Sequence, residues 1–261
     1  MQIIIIGGGR SISDGLPRLK EELKGKFVIA TNYAYKYFPF TVLCFCDHKF
    51  YKEEKDNIES FPFLITNKTQ FEGRMVKNPN IIYLPVNPSV YTRDLSKGVY
   101  KGITGIFSLS IAIYLLDRIE DEKKEIFLLG MDFGCIKKEG DKIVNGKPVI
   151  DDIKGVNRKY LIKGKYRALT HFYDKELTHR GSSKINYYYN HNPYHMYKCY
   201  NNIKDIKIWN VSPESRIPNF EKIDYPTFFA LLDPIPYEQD SLRTFIKDSL
   251  KKVKNSLIFE F

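Results

Sequence analysis

Four consecutive isoleucines, Ile3 to Ile6, run straight into Gly7-Gly8-Gly9. An apolar run that does not alternate reads as a strand buried on both faces. Strands of that kind sit in parallel sheets covered by helices on both sides. The glycines then let the backbone turn closely into the next element. Ser11 or Ser13 can cap the helix that follows, with Leu16, Leu19 and Leu23 on one face. Gly25 ends it.

The same alternation continues along the chain. Apolar runs predict strands at 27–31, 41–46, 63–66, 81–84, 126–129 and 206–211. Helices are expected at 106–119, 193–203 and 237–254, and the Pro- and Gly-bearing stretch 85–102 reads as irregular. Strands alternating with helices define an α/β chain: a Rossmann-like, mostly parallel sheet with helices on both faces. Residues 135–192 change character, becoming polar, basic and Tyr-rich with five glycines. They read as an inserted lid over the carboxyl edge of the sheet, with a hairpin near 143–148. Residues 1–134 and 193–261 would form the core.

Composition narrows the function classes. With 261 residues, 43% of them hydrophobic, the chain can bury a sizeable core. No apolar run approaches the roughly 18 residues that span a bilayer. The amino terminus has neither a basic n-region nor a small-residue cleavage site. Cys44, Cys46, Cys135 and Cys199 include no CxxC pair, which argues against a zinc site and for a reducing cytoplasm. A formal charge of +10 suits an anionic partner: a nucleotide, a nucleic acid or a lipid surface contacted peripherally. No zinc-finger, RNA-recognition or basic-zipper pattern supports nucleic acid. A homo-oligomer stays open.

The candidate site residues gather at strand ends, where open α/β sheets bind ligands. Gly7, Gly8 and Gly9 can bring backbone N–H groups to a phosphate, Arg10 a cation and Ser11 a hydroxyl. The alternative is a ligand-free tight turn, since neither GxGxxG nor GK[ST] is present. Asn32 follows the second strand and can bond a ribose, or make an Asx-turn. Asp47, before His48, can hold Mg²⁺ or a ribose hydroxyl after the third strand. Thr104 and Gly105 open the long apolar helix as a cap or an anion site, with Ser108 one turn on. Asp132 ends another strand in Gly130-Met131-Asp132-Phe133 and could share a metal with Asp47. In the lid, His179 and Arg180 combine a titratable base with a phosphate-binding cation, and Tyr188 with its neighbours Tyr187 and Tyr189 can donate hydrogen bonds.

These pieces resemble two related families. Gly7-Gly8-Gly9-Arg10-Ser11-Ile12 is similar to the G-x-G-P-S-L opening of bacterial sialyltransferases that use CMP-sialic acid. It is equally similar to that of 6-hydroxymethylpterin diphosphokinase-like proteins of the domain-of-unknown-function 115 class, which also occur in phages. Thr31-Asn32, Ile103-Thr104-Gly105, Glu125-Ile126-Phe127-Leu128-Leu129-Gly130-Met131-Asp132-Phe133 and Asn210-Val211-Ser212-Pro213-Glu214-Ser215 follow in the families' order. Arg10 stands where those families carry Pro, and Thr104-Gly105 lacks the intervening Ser. The first resemblance implies a nucleotide-sugar glycosyltransferase needing no metal. Gly8 to Ser11, Asn32 and Thr104 would hold the nucleotide. His179, or alternatively His191, would act as base on an acceptor hydroxyl of a glycan or small molecule, with Arg180 or Tyr188 on the departing phosphate. The second implies an ATP-dependent diphosphotransferase with Mg²⁺ on Asp47 and Asp132. A non-catalytic nucleotide- or nucleic-acid-binding protein is the third class.

Overall fold

The computed structural model describes residues 1–67, 78, 80–85, 95, 98, 103–121, 123–133, 194 and 197–256. Eight strands form one sheet: β1 (Gln2–Ile6), β2 (Val28–Thr31), β3 (Val42–Phe45), β4 (Leu64–Asn67), β5 (Ile81–Leu84), β6 (Glu125–Leu129), β7 (Lys207–Val211) and β8 (Glu221–Lys222). Their order is β5-β4-β3-β2-β1-β6-β7-β8, and each neighbouring pair is parallel. This is the expected Rossmann-like α/β architecture.

The isoleucine run explains where the core divides. Side chains alternate across a strand, so Ile3 and Ile5 enter one apolar layer while Ile4 and Ile6 enter the other. All four are at most 1% exposed. Each contributes about 2 kcal/mol of hydrophobic stabilisation. Helices α1 (Leu16–Glu22), α2 (His48–Ile58) and α4 (Tyr225–Leu231) send Leu19, Phe50, Ile58 and Phe228 into the layer of Ile4 and Ile6. Helices α3 (Thr104–Leu116) and α5 (Gln239–Ser256) cover the opposite face. Of α3's 13 residues, 11 are buried, which its nearly continuous apolar sequence requires.

Three elements differ from the sequence reading. Helix α2 is mostly charged, and only Phe50, Tyr51, Glu54 and Ile58 turn inward, so no long apolar run announces it. Helix α4 and the two-residue strand β8 are too short to stand out. The helix expected at 193–203 is seen in its described residues: Tyr194 and Tyr197 are helical, and the segment ends in a 3₁₀ turn, Lys198–Tyr200. The lid at 135–192 lies outside the described residues. Among the described residues no helix is long and apolar enough to cross a membrane.

The strand order positions the site. The chain builds β1 to β5 outward in one direction, then returns to lay β6 against the other side of β1. The reversal opens a crevice at the carboxyl ends of β1 and β6, where open α/β sheets take ligands.

Candidate functional site

The turns after β1, β6 and β7 meet at that crevice and are sewn together. The Gly7 N–H donates to the Leu129 carbonyl at 2.7 Å, and the Gly9 N–H to the Gly130 carbonyl at 2.9 Å. A methyl group on Gly7 would stand 2.6 Å from the Gly130 oxygen, and one on Gly9 2.5 Å from it. These glycines therefore let two backbones touch. Beyond them the chain enters a 3₁₀ turn, Arg10–Asp14, that has no cap from its own sequence. Asp132 supplies one from across the sheet: Ser11 donates its N–H to Oδ2 at 2.9 Å and its hydroxyl to Oδ1. Asp132 is 3% exposed and Ser11 4%. The turn after β7 joins the seam through Ser215 Oγ donating to the Met131 carbonyl at 2.9 Å and Arg216 N–H to the Asp132 carbonyl at 2.9 Å. Ser11 and Asp132 are thus brought together, but onto each other. The seat expected for a ligand anion at Ser11 is filled by the protein's own carboxylate.

The amino end of α3 forms the other bank. Its N-cap is Ile103, not Thr104, and among the described residues no side chain bonds the first-turn N–H groups. The first N–H groups of an α-helix have no partner within the helix, and the macrodipole adds positive potential there. Met131 ties this end to the β1 turn. A methyl on Gly105 would meet the Met131 sulfur at 2.7 Å, and one on Gly7 would meet the same sulfur at 3.2 Å. Gly7 and Gly105 thus flank one thioether, so the β1 turn and the α3 terminus share a crevice. Asn32 completes the bank. It stands just past β2 at φ 48°, the left-handed region that Asn tolerates better than most residues. Its Nδ2 donates to Thr104 Oγ1 at 3.4 Å, while Oδ1 is buried with no partner. Gly8, in the turn after β1, is half-buried.

The remaining candidates fall elsewhere. Asp47 is the N-cap of α2, accepting from the Lys49 N–H at 2.8 Å. It follows β3 while Asp132 follows β6, three strand spacings away, or about 14 Å. One Mg²⁺ needs oxygens at about 2.1 Å, so this geometry does not bring the two carboxylates to one ion. Among the described residues no group of three or more His, Cys, Asp or Glu gathers as a metal site. Ser108 is fully buried beneath the crevice against the Cys44 thiol, which burial pushes up to about 12. Arg10 is buried, only 8% exposed. His179, Arg180 and Tyr188 lie outside the described residues.

Several residues at this edge drew no role from the sequence. Met131 is the wedge between the two banks. Tyr225, packed against Gly15, has a buried hydroxyl with no partner. Burial, then the nearby Asp132 and Asp14 carboxylates, hold that phenol well above its ordinary value, so it stays neutral. On β7, Asn210 and the following Ser212 are 0% exposed, and neither side chain has a hydrogen-bond partner. Polar residues alternating through a buried strand are the signal that marks them in sequence. Phe133, at φ 51°, is a bulky residue in left-handed backbone at the end of the β6 loop.

No family model matches the chain, and no curated protein matches it. Among solved structures its fold is similar to that of the MAf glycosyltransferase from Magnetospirillum magneticum AMB-1. The TM-score is 0.50 and the identity 14%, over 98% of this chain and 37% of that one. The chain therefore spans 37% of that protein's length. The likeness is one of fold.

Proposed function

We propose that this chain is a nucleotide-sugar-dependent glycosyltransferase of sialyltransferase-like type. The donor's phosphate would sit at the amino end of α3 beside Gly8, and its ribose against Asn32. One observation carries the reading. The α3 terminus, with no side-chain cap among the described residues, and the buried, partnerless Asn32 Oδ1 lie across Met131 from a turn whose Ser11, Gly7 and Gly9 N–H groups are already taken. A phosphate suits the first, and a ribose hydroxyl donating to Oδ1 suits the second. The similarity of fold to a glycosyltransferase supports the same class. In this reading His179 takes the proton from the acceptor hydroxyl, and Arg180 and Tyr188 offset charge on the departing phosphate. No metal is required.

Calorimetric titration with CMP, UDP and ATP, each with and without Mg²⁺, tests the class. Binding of CMP or UDP that EDTA leaves unchanged is expected. ATP binding that depends on Mg²⁺ would favour a diphosphotransferase, and no binding by any of the three would remove the nucleotide reading. His179→Ala should abolish turnover and spare nucleotide affinity; undiminished turnover would discard His179 as the base.

A further inference from the structure

The partnerless polar groups on β7 have no role in holding a nucleotide at α3, and they point to a second part of the same ligand. Asn210 opposes Leu128 in the β6–β7 register, one position before the carboxyl end of β6. By the alternation of a strand it shares a face with Ile208, whose side chain enters the α3-side core. Ser212 continues that face two residues on. Both are fully buried, and the Asn210 amide nitrogen, the Asn210 amide oxygen and the Ser212 hydroxyl all lack partners. A buried polar atom without a hydrogen bond is costly, and natural proteins tolerate few of them. Three such atoms side by side at a ligand-binding edge form an unspent set of one donor, one acceptor and one group that does both.

Their place along the edge says what they would meet. The order there is β2, β1, β6, β7. Asn32 follows β2 and the proposed phosphate seat lies over β1, so β7 is on the side away from the ribose. Asn32 and Asn210 are three strand spacings apart, about 14 Å, a span comparable to a ribose, a phosphate and one sugar ring in line. We infer that Asn210 and Ser212 form the subsite for the transferred sugar, taking two adjacent polar substituents of its ring, either a pair of hydroxyls or a hydroxyl beside an acetamido group, which between them donate and accept. This rests on the glycosyltransferase reading above. Because neither residue is exposed, the sugar reaches them only as the cover of that face shifts. Once there it is desolvated, the condition under which a hydrogen bond discriminates best.

The test compares Asn210→Leu and Ser212→Ala with the unaltered chain. Calorimetry measures two ligand pairs, CMP against CMP-N-acetylneuraminic acid and UDP against UDP-glucose, and a thermal melt is run without ligand. The unaltered chain should bind the sugar form of one pair about tenfold more tightly than the bare nucleotide. Asn210→Leu should bring that ratio to about one, leave the bare nucleotide's affinity unchanged and hold or raise Tm, since an apolar side chain replaces an unsatisfied amide. Ser212→Ala should lower the ratio less. An unchanged ratio in both variants would overturn the subsite alone. A ratio lost together with bare-nucleotide affinity and a lowered Tm would assign the pair to an internal water and also overturn it. If neither nucleotide binds the unaltered chain, the glycosyltransferase reading falls, and this inference with it.

Discussion

The two banks of the crevice are built from similar parts and finished in opposite ways. On the β1–β6 bank the turn closes on itself: Ser11 gives both its donors to Asp132, and Gly7 and Gly9 donate to the β6 loop. On the α3 bank the helix has no side-chain cap among the described residues, and Asn32 Oδ1 is buried without a partner. Both banks carry glycine, serine or threonine, and a helical turn that begins there. The difference separates stability from function. Where a protein satisfies its buried polar groups it is holding itself together; the ones left open are those a bound ligand would satisfy in the proposed reading.

The comparison breaks first at Asp132. Asp132→Ala removes two charge-assisted acceptors and strands the Ser11 N–H, so it should cost about 3 kcal/mol in a urea melt. Full stability with nucleotide affinity gone would reverse the assignment of the two banks. Gly7→Ala comes next. Its methyl meets rigid backbone at Gly130, so a loss of about 2 kcal/mol is expected. Gly105→Ala meets the movable end of Met131 instead. It should cost less than about 1 kcal/mol of stability while weakening nucleotide binding. Equal melting losses in the two alanine variants would mean that both glycines belong to one seam.

Asn32→Gly sharpens the contrast from the other side. Glycine adopts φ 48° without strain, so stability should hold within about 1 kcal/mol, while nucleotide affinity falls roughly tenfold as the ribose acceptor is lost. Unaltered affinity would remove Asn32 from the site.

The smallest effect lies away from the crevice. Burial raises the Glu54 carboxyl, but hydrogen bonds from Lys36, Tyr35 and Asn57 outweigh it and leave the group below its ordinary 4.5. A depressed carboxylate contributes stability that is present above the unfolded value and lost as pH falls through the folded one. Glu54→Gln should therefore flatten the acid limb of the stability profile below about pH 4.5, by about 1 kcal/mol or less. It should leave nucleotide binding untouched at neutral pH. An unchanged acid limb would mean that the Lys36 pair contributes nothing.

What the sequence made legible follows the same division. The buried strands were readable because a continuous apolar run such as Ile3–Ile6 needs no partner to be recognised. The placement of Asn32 just past β2 and of Thr104 at the start of α3 was readable from the end of one apolar run and the start of another. Asp47 was misleading, since a carboxylate after a strand is equally a helix cap, and the charged helix it caps gives no apolar stripe long enough to reveal it. The Ser11–Asp132 pair was out of reach because its members are 121 residues apart and meet only when β6 returns beside β1. Asn210 and Ser212 lay within a recognised motif, yet their lack of partners is a property of packing that no linear pattern carries.

The claim on which the account turns is that the anion seat is at α3 and not at Ser11. Backbone amide resonances of the ¹⁵N-labelled chain, followed during titration with CMP, read it directly. The account predicts saturating shifts at Gly8, Thr104 and Gly105 with Ser11 almost still. Large shifts at Ser11 with Thr104 and Gly105 unmoved would contradict it.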